Sequence, residues 1–103
     1  MRAFEIAMSN EHFNEIVTAL RGAADLVPEN LKQHPSYLHF QPTIVRLNLE
    51  LSLDLLEEVS VDHEGEFPKA FWLLLLEASQ FLQLHDNSNY YRRILRENFS
   101  GNV

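Results

Sequence analysis

The sequence predicts a mainly α-helical fold, a single-domain bundle of three long helices followed by a shorter C-terminal helix. Apolar residues recur at intervals of three and four along several segments, which is the pattern of helices with one buried face. Prolines and short polar stretches separate these segments, and such residues mark helix ends. The chain has 103 residues, of which 46% are hydrophobic. A chain of this length and composition forms one modest core, so we expect residues 1–103 to fold as one domain.

The first helix is predicted over residues 9–27. Ser9 or Asn10 can cap its start, and Pro28 ends it. One helical face collects the apolar residues Phe13, Ile16, Val17, Leu20, Ala24 and Val27. Residues 2–8 alternate apolar and polar, which fits either a short strand or an additional turn of helix.

The middle of the chain carries two conflicting patterns. Residues 28–42 are predicted to form a connector, because its prolines disfavour helix at the residues before them. The stretch VRLNLELSLDL, residues 45–55, then alternates apolar and polar with the period of a half-buried strand. Most of its apolar residues are leucines, which favour helix, and the helical sequence DLLEEV continues from it. We predict a helix over 43–60, with an α+β fold, in which 43–55 is a strand, as the alternative.

The third long helix is predicted over residues 68–85, with Pro68 at its first position. Its first half is apolar on all sides, which is typical of a central buried helix. The polar turn HDNSN follows, and Ser88 can cap a shorter helix over residues 88–99. One side of this last helix carries the apolar and aromatic residues Tyr90, Tyr91, Ile94 and Leu95.

An acidic run is the clearest charge feature of the chain. It holds no lysine or arginine and contains Asp54, Glu57, Glu58, Asp62, Glu64 and Glu66. The formal net charge of the chain is −7. Opposite charge speeds the encounter of two proteins and fixes their orientation, so we expect these six residues to bind a basic partner protein. The alternative is that the run forms a solvated loop.

A set of three arginines, Arg92, Arg93 and Arg96, is expected on the exposed side of the last helix. Guanidinium groups beside tyrosines can bind a phosphate or a carboxylate. They can also meet the protein's own acids, within one chain or across a homodimer, and we favour this second interpretation.

The histidines lack the spacing of a metal site. They are His12, His34, His39, His63 and His85, and no two lie four residues apart on a helix. His12 and Glu15 lie one helical turn apart, a spacing typical of a surface hydrogen bond. No catalytic triad, phosphate-binding loop or cofactor motif is present. We therefore predict no metal site, no cofactor and no enzymatic activity.

Composition narrows the function classes further. The chain has no cysteine, which excludes disulfides and thiol chemistry. Its longest apolar run is too short to cross a membrane, and its first residues lack the apolar core of a signal peptide, so we expect a cytoplasmic protein. Net acidity argues against binding to nucleic acid or to an anionic membrane.

We expect a small acidic module that docks a basic partner protein in an inhibitor, immunity, antitoxin-like or chaperone role. One alternative is a small metal- or ligand-binding or hydrolytic protein that uses histidines and carboxylates. A second alternative is a self-associating scaffold, in which Arg92, Arg93 and Arg96 meet the acidic run of another copy.

Overall fold

A computed structural model describes the backbone of residues 2–99 and the side chains of residues 12–99. Within this range the protein is entirely helical, and no strand is present. The prediction of a mainly α fold is confirmed, whereas the alternative with a strand over 43–55 is wrong. The five α-helices are α1 (Arg2–Asp25), α2 (Pro35–Val45), α3 (Leu49–Ser60), α4 (Lys69–Phe81) and α5 (His85–Phe99), and short 3₁₀ helices span Glu29–Leu31 and Glu64–Glu66.

The longest helix, α1, runs antiparallel to α4. His12 stacks on Phe81 near one end of α4, with ring centroids 4.7 Å apart, and Gly22 lies against Leu74 nearer the other end. A Cβ atom at Gly22 would come within 3.2 Å of the Leu74 Cδ1 atom, so the absence of a side chain lets the two helices approach closely. The helix begins at Arg2, before the predicted caps at Ser9 and Asn10, and residues 2–8 are helical.

The predicted helix over 43–60 is in fact the end of one helix and the whole of another. The chain breaks at Leu47, whose backbone has a left-handed φ of 63°. The Leu47 amide donates to the Ile44 carbonyl at 2.9 Å and the Asn48 amide donates to the Thr43 carbonyl at 3.3 Å, which closes α2 with a Schellman motif. The Asn48 side chain then accepts from the Leu51 amide at 3.3 Å and starts α3. The apparent period of two therefore spans a helix end, a turn and a helix start.

The predicted connector over 28–42 contains most of α2, in spite of its prolines. Pro35 stands at the first helical position, where the missing N–H has no partner to lose. The His34 side chain caps this end by accepting from the Ser36 amide at 3.1 Å. Pro42 lies inside the helix and cannot donate to the Leu38 carbonyl, but only Thr43, Ile44 and Val45 follow it in the helix.

The core lies around α4, which packs between α1 and α5. Its fully buried residues Phe71, Trp72 and Leu75 meet Phe67 from the preceding loop and Tyr91 from α5. The Trp72 indole N–H has no hydrogen-bond partner among the described residues. At the α4–α5 turn the buried hydroxyls of Ser79 and Ser88 form a hydrogen bond of 2.7 Å between their Oγ atoms.

Helices α2 and α3 form an antiparallel hairpin, and α3 also packs against α1 and α4. The Ser36 hydroxyl at the start of α2 donates to the Glu58 carboxylate near the end of α3. On the α3 side, Leu53, Leu56 and Val59 are fully buried. One face of α3 thus joins the core, and the opposite face carries the acids.

Candidate acidic docking surface

A shallow depression runs along the outer face of α3. It is lined by Leu51, Asp54, Leu55, Glu57, Glu58 and Val61. Intervals of three and four place these residues on one helical stripe. Leu51 and Val61 are 44% and 46% exposed, which is high for large apolar side chains. The surface therefore combines carboxylates with accessible apolar groups and has no cation in its lining; we call it the α3 face.

Asp54 shows how strongly the carboxylates on the α3 face are crowded. Its pKa is raised above the ordinary aspartate value, first because burial opposes ionisation and then because Glu57 and Glu50 add negative charge beside it. A hydrogen bond from Asn87 acts in the opposite direction and does not cancel these effects. The surrounding negative field is the physical property that a basic partner would neutralise.

Glu57 is held by α5 rather than left free at the surface. The Tyr91 hydroxyl donates to its Oε1 atom at 2.6 Å, and the Asn87 side-chain amide donates to the same oxygen at 3.0 Å. Burial of Tyr91, and then its hydrogen bond to Glu57, raise the pKa of this tyrosine. Glu57 thus fastens α3 to α5 and orients the face on which Asp54 and Glu58 lie.

The later acids of the run lie in the loop after α3, and two of them have partners within the protein. Glu64 accepts a hydrogen bond from the Tyr90 hydroxyl, and burial together with this bond raises the pKa of Tyr90. Glu66 lies 2.8 Å from the His63 Nδ1 atom, and hydrogen bonds from His63 and Asn30 lower the pKa of Glu66.

The structure therefore brings together Asp54, Glu57 and Glu58, but the depression does not include the other three predicted residues. Asp62 is exposed and has a left-handed φ of 72° at the turn that follows α3. With Glu64 and Glu66 it belongs to the loop. The sequence places all six acids in one run, and the structure divides them between a helix face and a turn.

The three arginines are exposed on α5, as expected. Arg92 donates from Nη1 to the Asn89 Oδ1 atom at 3.1 Å, and the Arg93 guanidinium lies 5.4 Å from the centre of the Tyr90 ring. Arg96 lines a different groove with Lys69, Leu73, Leu95 and Phe99. The first two side chains thus contact an amide and an aromatic ring.

Three of the five histidines serve local structure. His12 lies 3.2 Å from Glu15, so the predicted surface hydrogen bond is present. His34 caps α2, and His63 contacts Glu66. Among the residues the structure describes, no group of three or more histidines and acids is placed to hold a metal ion.

Three residues of α5 that organise the acids were not predicted from the sequence, namely Asn87, Tyr90 and Tyr91. Their hydrogen bonds to Glu57 and Glu64 cross about a third of the chain, and no local spacing signals such pairs. The only available indication was the tyrosine pair itself, because a hydroxyl on the buried side of a helix needs a partner.

Comparison with protein-family models, with curated proteins and with solved structures finds no match to this chain. Of the helices described above, none has the length and apolar character needed to cross a membrane.

Proposed function

We propose that this protein is a non-enzymatic binding module, acting in the cytoplasm, that docks a basic partner protein on the α3 face. The observation that carries the proposal is the composition of this face. Asp54 and Glu58 are exposed there, and the accessible leucine and valine side chains of the same depression lie beside them. Carboxylates steer and orient a cationic partner, and the apolar groups supply contact area once water is excluded.

The partner chemistry that fits this face is an amphipathic segment with lysine or arginine beside apolar residues. A stripe with intervals of three and four matches the face of a partner helix that carries the same spacing. The net charge of −7 adds a long-range attraction for such a segment. Inhibitor, immunity, antitoxin-like and chaperone roles all use a surface of this kind, and we propose this group of roles by physical analogy alone.

The test compares two double variants that remove equal charge. Asp54→Asn/Glu58→Gln removes the two exposed charges of the α3 face, whereas Glu77→Gln/Glu97→Gln removes two exposed charges of α4 and α5. Glu57 is left intact because it holds Tyr91, and the glutamine at position 58 keeps a side-chain oxygen that can accept from the Ser36 hydroxyl. The probe is a synthetic helical peptide with lysines on one face and leucines on the other. Its association rate is followed by fluorescence anisotropy at several salt concentrations.

We expect the α3-face variant to lower the association rate by about 10-fold at low salt and to flatten its salt dependence, because steering is lost. The control variant should retain most of both properties. The same pair of variants, used as bait in a native lysate, identifies the physiological partner as the protein that only the α3-face variant fails to capture. Equal peptide association by the two double variants would exclude the α3 face as the docking site.

A further inference from the structure

Helix α2 and the turn that follows it present an apolar surface that nothing in the described protein covers. Leu38, Val45 and Leu47 are 52%, 65% and 55% exposed. Leu38 and Val45 are seven residues apart on α2 and therefore share one helical face, on which the exposed Pro42 also lies. An uncovered apolar surface of this kind marks an interface. We call Leu38, Pro42, Val45 and Leu47 the hairpin tip.

Leu47 supports this interpretation by its backbone. It occupies the left-handed position that ends α2, with φ of 63°. Glycine adopts this conformation without steric cost, and leucine does not. Leu47 thus holds a backbone conformation that costs free energy, and more than half of its surface stays outside the packing of its own chain. Backbone strain of this kind occurs at binding sites as well as at helix ends, so it supports the interpretation only together with the exposure of Leu47.

The two charged residues that flank Leu47 in the sequence favour a second copy of this protein as the binding partner of the hairpin tip. Arg46 and Glu50 are both exposed and stand on either side of Leu47 in the sequence. Neither has an ion-pair partner within 4.0 Å in the described part of the chain. In a two-fold symmetric contact, a residue of the first copy that meets a different residue of the second copy implies the reverse contact as well. One cation and one anion beside an apolar centre are therefore complementary to a second copy of the same surface.

We propose that the hairpin tip is the interface of a symmetric homodimer. Leu38, Val45 and Leu47 pack against the same residues of a second copy, and Arg46 of each copy pairs with Glu50 of the other. This inference goes beyond the proposed partner docking and does not depend on it. Two copies would carry two α3 faces, so a bivalent partner would gain avidity without any new contact.

The first test is Val45→Glu, which places a charge at the centre of the hairpin tip. The dissociation constant of the dimer is measured by sedimentation equilibrium, and it should rise by at least about 10-fold, as for a central interface residue. Leu73→Glu is the matched control, because Leu73 is 46% exposed on α4 and lies outside the hairpin tip. It should leave the dissociation constant unchanged.

Leu47→Gly separates an interface role from a structural role. Glycine relieves the left-handed strain, so the melting temperature of the monomer, measured at low protein concentration, should rise. The same change removes an apolar contact, so the dissociation constant of the dimer should also rise. If the role of Leu47 were only structural, Leu47→Gly would leave the dissociation constant of the dimer unchanged.

Charge reversal tests the two-fold symmetry. Arg46→Glu alone and Glu50→Arg alone should each weaken the dimer, because like charges then face each other. An equimolar mixture of the two single variants should restore association, since every pair becomes opposite in sign.

Wild-type protein that stays monomeric up to a concentration on the order of 1 mM, or a dimer that Val45→Glu does not weaken, would overturn the proposal. The peptide association described above should be unaffected by Val45→Glu. The docking proposal and the dimer proposal can therefore fail independently, and the two measurements distinguish the failures.

Discussion

At the scale of single residues, Glu57 shows why an acidic sequence is not the same thing as an acidic surface. Its carboxylate accepts from Tyr91 and Asn87 and so connects α3 to α5. Hydrogen bonds to charged groups are stronger than those between neutral groups. Glu57 therefore contributes to the fold, whereas Asp54 and Glu58 stay exposed at the α3 face although Asn87 and Ser36 each contact one of them.

The contribution of the Tyr91 hydroxyl can be measured with Tyr91→Phe. We expect a loss of about 1.5–3 kcal/mol in the free energy of unfolding, because a half-buried carboxylate loses a donor. Urea denaturation followed by circular dichroism gives this value. Tyr37→Phe is the control, since the Tyr37 hydroxyl has no hydrogen bond to another described residue. Equal losses in the two variants would show that the bond to Glu57 does not stabilise the protein.

Asp54 should make the stability of the protein depend on pH in the direction opposite to that of most native carboxylates. Its pKa is raised by burial and by neighbouring acids, so the folded protein binds the proton more tightly than the unfolded chain does. The stability it contributes is present below the unfolded-state pKa of about 3.9 and is lost as the pH rises through the folded-state pKa.

We expect Asp54→Asn to raise the melting temperature at pH 7 and to change it little near pH 3, where the wild-type group is already neutral. Thermal unfolding across this range measures the difference. Glu77→Gln, at an exposed position on α4, is the comparison variant. The same pH-dependent difference in both variants would mean that the effect reflects net charge rather than the environment of Asp54.

At the scale of elements, a non-glycine residue with a left-handed backbone follows each of three helices, in a Schellman motif after α2 and α4 and in a turn from Ser60 to His63 after α3. Leu47, Asp62 and Gln83 follow α2, α3 and α4, and all three have a positive φ. Glycine is the residue that fits this position best, and the chain has only three glycines, none of which is used there. The ends of these helices were therefore hard to predict from the usual stop signals.

Gln83→Gly should stabilise the protein. The residue is exposed, with φ of 59°, and it lies in a Schellman motif in which the Leu84 amide donates to the Ser79 carbonyl at 2.9 Å. The left-handed conformation costs an L-residue about 1–2 kcal/mol, and the greater freedom of glycine in the unfolded chain offsets about 0.5–1 kcal/mol.

We expect a net gain of about 0.5–1 kcal/mol in the free energy of unfolding, measured by urea denaturation. Gln83→Ala keeps a Cβ atom and should give no such gain. If alanine stabilised the protein as much as glycine, side-chain interactions of Gln83 rather than backbone strain would explain the change.

The helices differ in how well the sequence could predict them. The helical stripes around Leu20 and Leu75 identified two helices correctly, because periodicity reports burial directly. The region from Pro35 to Ser60 was divided wrongly, because two prolines in tolerated positions concealed α2 and a leucine in a glycine-like conformation concealed its end. Local rules failed where the chain uses a residue that is not the usual one for the conformation.

At the scale of the whole molecule, the helices form a flattened body with extents of 46 × 32 × 18 Å. A body this thin cannot cover both sides of every helix, and large apolar side chains remain exposed on α2, α3 and α4. The α3 face and the hairpin tip are consequences of this shape. Acidity could be predicted from composition, but which acids face outward depends on how α5 docks, and the sequence has no local signal for that.

The core contains the chain's single tryptophan, Trp72. The centroid of its ring lies 5.1 Å from that of Phe71 and 6.2 Å from that of Tyr91. Since Trp72 is the single tryptophan, tryptophan fluorescence has one origin. Since Trp72 is fully buried, this fluorescence should shift to longer wavelength when the core opens to water. Tyr90 and Tyr91 contact this ring and also hold Glu64 and Glu57. The protein thus contains an intrinsic optical reporter for the attachment of α5, and no added label is needed to follow it.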